Sequence, residues 1–381
     1  MILPELYTAC LSDYLSASQL LTGEILVWLL QVHKQVRIER LAACLPIPIL
    51  YESRRRHLQR FLVLRKLSVP LMWFPLIKYI LNSQIPPGSR LVVPLDRTQW
   101  EVNNLLMVSV IWKKRAFPLY WQFLEKAGSS NLNEQIAVLR PVLKLLKDYE
   151  IVIIGDREFR SVELAYWLKK KKVYFALRLK QDAVVRKIGK SYQKLSEIGL
   201  TPGMKLFWSG INYTKQTGFG RFYLAAYWKR KYRGKAPDEG WYILTNLNKI
   251  EEVIKVYQAR FGIEALFKDC KTGGYNLEGS RASVERLTRL VLLIAIAYTC
   301  ASLKGDKVQN SGQHKYVCRL QELKRTQKRH SSFWIGLYGQ MWIIGWEFCQ
   351  EWIEQLMQFS RNKLLYFQRG LRAMEEIQFI R

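Results

Sequence analysis

Two aspartates follow apolar, strand-like segments of the sequence. Asp96 ends the segment that begins at Arg90, and Asp156 follows residues 150–155. Side chains at strand ends are held rigidly at the edge of an α/β sheet, where such folds keep their sites. Two carboxylates brought together there repel each other unless a cation lies between them. The pattern favours a divalent cation site, with turn initiation or helix capping as the ordinary alternative for each aspartate taken alone.

A third acid stands in a polar pattern within a helix predicted over residues 250–271. Tyr257, Arg260, Glu264 and Lys271 are three, four and seven positions apart, which places them close to one helix face. A carboxylate beside a phenol and two cations suits a phosphodiester, because the acid can ligate metal while the cations hold phosphate oxygens. Three converging acids are the arrangement used for in-line phosphoryl displacement with two metal ions. The alternative is an Arg260–Glu264 ion pair on a solvated helix face.

The elements that must position these residues alternate in a recognisable order. Three strands are predicted over residues 90–96, 104–112 and 117–123, and are followed by a helix over 132–149. A strand over 150–155, a helix over about 161–171 and a strand over 173–177 complete the series. Hairpin-connected strands followed by alternating helices and strands predict a mixed α/β sheet of the ribonuclease-H-like class.

The rest of the chain falls into regions of different character. Residues 180–235 alternate in the manner of strands and carry thirteen Lys and Arg against two acids, which predicts a β-rich insertion facing a phosphate backbone. Both ends of the chain read as helical. The predicted organisation is a helical DNA-binding domain (1–85), a catalytic core in two parts (86–178 and 249–305), the β-rich insertion (179–248) and a helical C-terminal region that is a candidate for dimerisation (306–381).

Charge and composition narrow the partners. The 381 residues carry 60 Lys and Arg against 31 Asp and Glu, a formal net charge of +29, and 49% of them are hydrophobic. A folded protein with this surplus predicts a polyanionic partner, either nucleic acid or an anionic membrane. The longest apolar run, 290–303, is too short to span a bilayer and reads as a buried helix. Scattered cysteines and four histidines without ligand spacing indicate a reducing compartment and leave carboxylates to hold any metal.

The helix pattern carries a resemblance to a known family. Y-x2-R-x3-E-x6-K, present here as YQARFGIEALFKDCK, resembles the motif of DDE transposases of the insertion sequence four family. LDRTQW and IIGDREF resemble the segments that hold the family's two aspartates. The 108 residues between Asp156 and Glu264 leave room for the β insertion of those enzymes. ESRRRHLQRFL resembles their N-terminal DNA-binding region, so that the similarity extends over roughly residues 35–305.

The resemblance implies roles for individual residues. Asp96, Asp156 and Glu264 would be the catalytic triad and would bind two Mg²⁺ ions, with Mn²⁺ as the alternative. Tyr257, Arg260 and Lys271 would contact phosphates at the transposon end. In some relatives a tryptophan before the motif helix stacks on a flipped base, and Trp241 stands at that place here. The alternative role for Trp241 is packing in the core of the sheet. Trp208 and Trp228 are weaker candidates for the stacking role. The basic helix after Pro48 would contact DNA through Arg54, Arg55, Arg56 and Arg60.

The expected function is that of a cut-and-paste transposase. Metal-dependent phosphoryl transfer would cleave the element ends, pass through hairpin ends and join them to target DNA. The expected partners are double-stranded DNA and a second copy of the chain, with no membrane, in a bacterial cytoplasm where the protein associates with the nucleoid. Two alternatives stay open from the sequence: a ribonuclease-H-like nuclease without strand transfer, and a catalytically inactive, transposase-derived repressor.

Overall fold

A computed structural model describes residues 3–214, 222–231, 238–320 and 329–380 of the chain. The basic residues Lys215, Arg221, Arg233 and Lys235 of the predicted insertion, and positions 321–328, lie outside the described residues. The chain divides into two compact units. We call residues 77–269 the sheet unit, and residues 1–76 with 270–381 the helical unit.

The sheet unit is built on one mixed sheet of ten strands in the order β3-β2-β1-β4-β5-β10-β9-β8-β6-β7. The strands are β1 (Arg90–Trp100), β2 (Asn103–Trp112), β3 (Arg115–Leu124), β4 (Glu150–Gly155), β5 (Tyr174–Arg178), β6 (Val184–Arg186), β7 (Tyr192–Lys194), β8 (Lys205–Tyr213), β9 (Phe222–Tyr227) and β10 (Trp241–Thr245). Strands β1 to β3 form an antiparallel meander, and β4 and β5 run parallel to β1. This is the predicted ribonuclease-H-like arrangement.

The insertion extends the same sheet. β10 pairs antiparallel with β5 and with β9, and β9 pairs with β8, so that the hydrogen-bonded ladder continues from the core into the basic strands. Because β5 pairs with β4 on one side and with β10 on the other, the edge at which the core strands would otherwise end is covered. Arg186, Lys194 and Lys205, the bases of β6, β7 and β8, are therefore fixed to the sheet that also carries the candidate acids.

Helices cover both faces of this sheet. They are α5 (Phe74–Gln84), α6 (Leu132–Leu145), α7 (Val162–Lys170), α8 (Ile250–Gln258) and α9 (Phe261–Cys270). Asn131 and Glu134 form a capping box that starts α6, and Ser161 caps α7. Val152 and Ile154 of β4 point toward α8, where they join a buried cluster with Val253 and Tyr257. The alternation of side chains along β4 directs Ile151 and Ile153 to the other face.

The helical unit consists of the two ends of the chain. Its helices are α1 (Glu5–Ser12), α2 (Ala17–His33), α3 (Ile38–Cys44), α4 (Tyr51–Phe61), a π-helical turn (Val69–Trp73), α10 (Val284–Asn310), α11 (His314–Val317), α12 (Ser332–Phe359) and α13 (Leu364–Phe379). Tyr7 donates a hydrogen bond to Thr299 and Gln31 donates one to the carbonyl of Ala297, so α1 and α2 pack on α10. α10 is long and apolar enough to cross a membrane, but 78% of its most apolar window is buried inside the protein, as in a core helix.

α10 and α12 approach each other through glycines. A Cβ added to Gly336 would collide with the carbonyl of Ala301 and would lie 2.9 Å from the backbone nitrogen of Gly305. A Cβ on Gly305 would meet Gly336 in the same way, at 2.6 Å from its nitrogen. Both positions therefore require glycine for steric reasons, since the two backbones are in contact there.

Two details of the sequence interpretation are wrong. The predicted single helix over 250–271 is two helices, because α8 ends at Gln258 and α9 begins at Phe261. The predicted strand end at Asp96 is also incorrect, since β1 continues to Trp100. Beyond Leu95 the strand loses its partner β4 but keeps β2, with Trp100 opposite Asn103. Asp96 is therefore placed at an edge by the end of β4 and not by the end of its own strand.

Candidate active site

The register of β1 and β4 places Asp96 and Asp156 next to each other. The two strands are parallel, and their last aligned pair is Leu95 with Gly155. The next residue on each strand is the aspartate, and neighbouring strands lie about 4.8 Å apart. The structure therefore brings these two predicted acids together at the carboxyl-terminal edge of the core sheet.

Asp96 is a buried carboxyl in contact with a cation. Its Oδ2 lies 3.2 Å from Nη1 of Arg260, and its Oδ1 accepts a hydrogen bond of 2.8 Å from the backbone nitrogen of Arg97. Burial raises the pKa of Asp96 to about 6, an effect that Arg260 and the Arg97 amide oppose and that the charges of Asp156 and Glu264 increase. Because the charges of Asp156 and Glu264 both raise the pKa of Asp96, the three acids lie close enough to interact electrostatically.

Asp156 keeps an unused oxygen. Its Oδ1 is buried and accepts no hydrogen bond from any described residue, and Nη1 of Arg178 lies 3.9 Å away. A buried carboxylate oxygen without a hydrogen bond is costly unless something else compensates it. A directly coordinated cation would provide that compensation.

Glu264 reaches the same region from the first turn of α9. Nη2 of Arg260 makes a short ion pair with its Oε1, and the glutamate side chain stays 43% exposed. Arg260 itself is only 14% exposed and lies in the junction between α8 and α9. One guanidinium therefore bridges Asp96 and Glu264, and the i,i+4 ion pair weighed from the sequence is present as part of a three-residue contact.

Two further ion-pair networks hold the segments after the aspartates. Arg97 contacts Glu158 at 2.9 Å, and Glu158 also accepts hydrogen bonds from the backbone and hydroxyl of Ser130. Arg157 and Arg178 both donate to Oε1 of Glu239, at 2.5 and 2.6 Å. The first network ties β1 to the turn after β4. The second ties that turn to β5 and to the residue before Gly240.

Trp241 and Tyr257 lie together at this side of the sheet. Their rings are 5.0 Å apart in an edge-to-face arrangement, and Tyr227 contacts Trp241 from the other side at 6.0 Å. Trp241 is partly buried at the start of β10, and burial raises the pKa of the Tyr257 phenol against the opposing charge of Arg260. Packing is thus established for Trp241, while base stacking stays a prediction.

The other predicted DNA contacts lie in the helical unit. Lys271 forms an ion pair of 2.7 Å with Glu278. On α4, Arg54 donates to the carbonyls of Ala43 and Leu45 at the end of α3, and Arg55 pairs with Glu52. Within the described part of the chain, Arg56 and Arg60 are exposed and engaged in no ion pair. These two are the arginines of α4 best placed to meet a phosphate backbone.

The three acids suit a hard divalent cation in chemistry and charge. All three offer carboxylate oxygens, the ligands that Mg²⁺ prefers, and the buried Oδ1 of Asp156 accepts no hydrogen bond from the described residues. Among the described residues no three acidic, histidine or cysteine side chains are already gathered closely enough to share one metal ion. The reason at this site is Arg260, whose positive charge stands between two of the three acids.

The sequence interpretation missed Arg178, Glu239 and the Arg97–Glu158 pair. For the last pair a signal existed, since Arg97 follows Asp96 directly and Glu158 comes two residues after Asp156. Glu239 had no local signal, because its partners are more than sixty residues distant along the chain.

The fold and the acidic sheet edge define a ribonuclease-H-like protein. Residues 122–300 match the family model of the transposase DDE domain, a span that contains Asp156 and Glu264 and begins after Asp96. This part of the chain is therefore similar to the DDE transposases, the family that its helix motif resembles.

Solved structures are similar only at a distance. The piggyBac transposase synaptic complex with hairpin DNA aligns over 99% of this chain and 81% of its own, with 14% identity and a TM-score of 0.40. Marinitoga piezophila Argonaute with guide RNA and target DNA aligns over 48% of this chain and 29% of its own, with 12% identity and a TM-score of 0.23. No curated protein matches the sequence.

Proposed function

We propose that the protein is a cut-and-paste DNA transposase in which Asp96, Asp156 and Glu264 hold two Mg²⁺ ions, with Mn²⁺ as a substitute. The observation that supports this most directly is the β1–β4 register, which sets the two aspartates side by side, together with the Arg260 bridge to Glu264. When bound, the ions would polarise the scissile phosphate and lower the pKa of the attacking water.

The remaining residues would position the DNA. Arg260 would leave the carboxylates to meet a phosphate oxygen, with Tyr257 and Lys271 as further contacts to the transposon end. Trp241 would offer its ring to a base extruded from that end, since stacking offsets the cost of unstacking the base. Arg56 and Arg60 of α4 would hold the DNA backbone outside the cleavage site, with Arg55 beside them, while Arg54 joins α4 to the end of α3.

The reaction would be a series of in-line displacements at phosphorus. Water first replaces a 3′-oxygen and frees a 3′-hydroxyl at the element end. That hydroxyl attacks the opposite strand to form a hairpin, water reopens it, and the regenerated 3′-hydroxyl attacks target DNA. In each step one P–O bond forms and one breaks, the attacking water or 3′-hydroxyl loses a proton to solvent, and the departing 3′-oxygen gains one. One carboxylate site can therefore serve every step.

A second copy of the chain is the expected partner at synapsis. α12 leaves four large apolar side chains exposed along one helix face: Phe348, Trp352, Leu356 and Phe359. Their spacing of four, four and three residues makes a continuous stripe, and such a stripe on a protein surface marks an interaction site. We propose that it pairs two protomers, and that the protein acts on nucleoid DNA in a bacterial cytoplasm.

The test is cleavage of a DNA duplex that carries the element end taken from the flanks of the gene. In Mg²⁺ the wild-type protein should release a 3′-hydroxyl, and Asp156→Asn should slow cleavage by about a hundredfold or more, because a transition-state stabiliser is removed. The matched control is Asp148→Asn, an exposed aspartate paired with Lys78, which should cleave normally.

Equal cleavage by Asp156→Asn and the wild type would refute the catalytic assignment. A second reaction, with a precut end and a target plasmid, separates transposition from simple hydrolysis. Joined products support the proposed function, whereas cleavage without joining would mark the protein as a nuclease.

A further inference from the structure

A cavity of about 450 Å³ opens on the sheet unit at the edge opposite to the carboxylates. The C-terminal ends of α6 and α7 form two of its walls, and the start of β4 forms its floor. Both helices begin near the carboxyl-terminal edge of the sheet and run back along it. Glu150, which lines the cavity, and Gly155, next to Asp156, are the two ends of β4, so roughly 17 Å separates the cavity from the acids.

The lining is strongly basic. Its cations are Arg140, Lys144, Lys147, Lys171 and Lys172. All five are exposed, and no ion pair or hydrogen bond between described residues engages their side-chain charges. The one acid in the lining is Glu150, which already accepts two hydrogen bonds from Arg90, at 2.6 and 2.9 Å. The Arg90 contact lowers the pKa of Glu150, and Arg90, which lies outside the cavity lining, also forms an ion pair with Glu252.

Helix dipoles account for only part of this charge. The C-terminal end of a helix carries about −0.5 of an elementary charge, so about one cation would compensate the ends of α6 and α7 together. Five cations line the cavity, and Lys169 and Lys170 lie beside it in the last turn of α7. The remaining excess, about three to four positive charges when Glu150 is counted, is gathered in a concave site, and the mutual repulsion of these charges favours an anionic ligand.

We propose that this cavity binds the phosphodiester backbone of duplex DNA, as a second DNA contact remote from the chemistry. Five cations around a concavity can meet several phosphates at once, and Trp167 supplies an apolar wall for the sugar. The proposal rests on the proposed function, because it takes DNA as the substrate. It adds a DNA contact at the start of β4 to the cleavage site at the end of β4. Loss of the cavity contact should therefore weaken DNA binding without slowing the cleavage of bound DNA.

The test uses Lys144→Glu/Lys171→Glu, which reverses one charge from each helix. Binding of a 30-bp duplex of unrelated sequence is measured by fluorescence anisotropy over a range of salt concentrations. The double variant should bind about tenfold more weakly or worse, and its salt slope should fall by about 2, because two phosphate contacts are lost. At saturating element-end DNA its cleavage rate should equal that of the wild type.

The control is Lys249→Glu/Lys255→Glu, the same charge change on α8, which packs on the other face of the sheet. If both double variants lose affinity and salt slope equally, the effect is one of net charge and the cavity proposal is wrong. Calorimetry with tripolyphosphate tests whether the cavity binds a small phosphate compound instead of DNA. If only Lys144→Glu/Lys171→Glu loses tripolyphosphate while DNA binding is unchanged, the ligand is a free phosphate compound and not DNA. Failure of the wild type to cleave would refute the proposed function without changing the binding comparison.

Discussion

At the scale of single residues, Arg260 holds the most informative position in the molecule. It contacts Asp96 and Glu264 together, and its side chain is as buried as that of Asp96. Three acids that act on one another would repel strongly in a partly desolvated site. The guanidinium thus carries out the charge compensation that divalent cations would provide, and cation binding must compete with it.

Arg260→Ala should therefore affect stability and metal binding in opposite directions. Without metal the variant should lose about 3 kcal/mol of unfolding free energy, because removing Arg260 leaves the mostly buried carboxylate of Asp96 without its cation. Its affinity for Mn²⁺, followed by electron paramagnetic resonance at pH 8, should rise several-fold, since no guanidinium competes. Mn²⁺ should also raise its melting temperature more than that of the wild type.

Arg115→Ala is the matched control for this prediction. Arg115 pairs with Asp269 at 2.7 Å in the same unit, and each side chain is 16% exposed. This variant should lose comparable stability with no gain in Mn²⁺ affinity. If Arg260→Ala binds Mn²⁺ no better than the Arg115 variant does, Arg260 does not occupy the cation's place.

At the scale of elements, the turn after β4 is fixed by the absence of a side chain at Gly155. A Cβ at this position would lie 2.8 Å from Cβ of Phe159 and 3.2 Å from a methyl of Leu177. The Phe159 atom is attached directly to the backbone, so relief requires the 3₁₀ turn Arg157–Phe159 to move. That turn carries Glu158 and follows Asp156 directly.

Gly155→Ala should consequently damage cleavage more than stability. Overpacking of this kind costs about 1–3 kcal/mol of unfolding free energy. Displacement of a catalytic group by about 1 Å can cost about a hundredfold in rate. The paired measurements are the melting temperature and single-turnover cleavage of the element end. Gly345→Ala on α12, where an added Cβ meets nothing, is the control and should leave both unchanged or slightly improved. Full activity in Gly155→Ala would mean that the turn does not position Asp156.

The sequence predicts an element well when neighbouring residues determine it, and poorly when contacts with distant parts of the chain determine it. Strand β4 and helix α4 follow from local apolar runs and prolines, and both lie where the sequence places them. The break between α8 and α9 carries no glycine or proline at residues 258–261, so the polar spacing alone indicated one helix. The extent of β1 beyond Asp96 is decided by pairing with β2, a tertiary contact. Asp96 and Asp156 were found as a pair, but the Arg260 bridge required their three-dimensional positions.

At the scale of the whole molecule, the cations proposed to hold DNA and the apolar stripe of α12 lie in different elements. Within the described residues, cations without an ion pair are found on α4 and in the cavity between α6 and α7, whereas the second half of α12 carries three acids and no base from position 347 to 359. The residues that follow, from 361 to 372, carry Arg361, Lys363, Arg369 and Arg372 with no acid. The apolar stripe proposed to pair two protomers therefore lies on an acidic stretch of α12, apart from the cations proposed to hold DNA.

Trp352→Glu should prevent this association while leaving the protomer folded. The indole lies in the middle of the stripe and is 66% exposed, so its replacement costs the isolated protomer little. A carboxylate there would be buried against the partner's apolar side chains, a loss of several kcal/mol at each copy. Analytical ultracentrifugation should find wild-type dimers and variant monomers, with unchanged circular dichroism.

Val102→Glu, on the β1–β2 turn of the sheet unit and 91% exposed, provides the control and should remain dimeric. In element-end assays the Trp352 variant should still bind a single end but should not join two ends in one complex. If it remains dimeric, or if the wild type is monomeric with and without DNA, the stripe does not pair protomers.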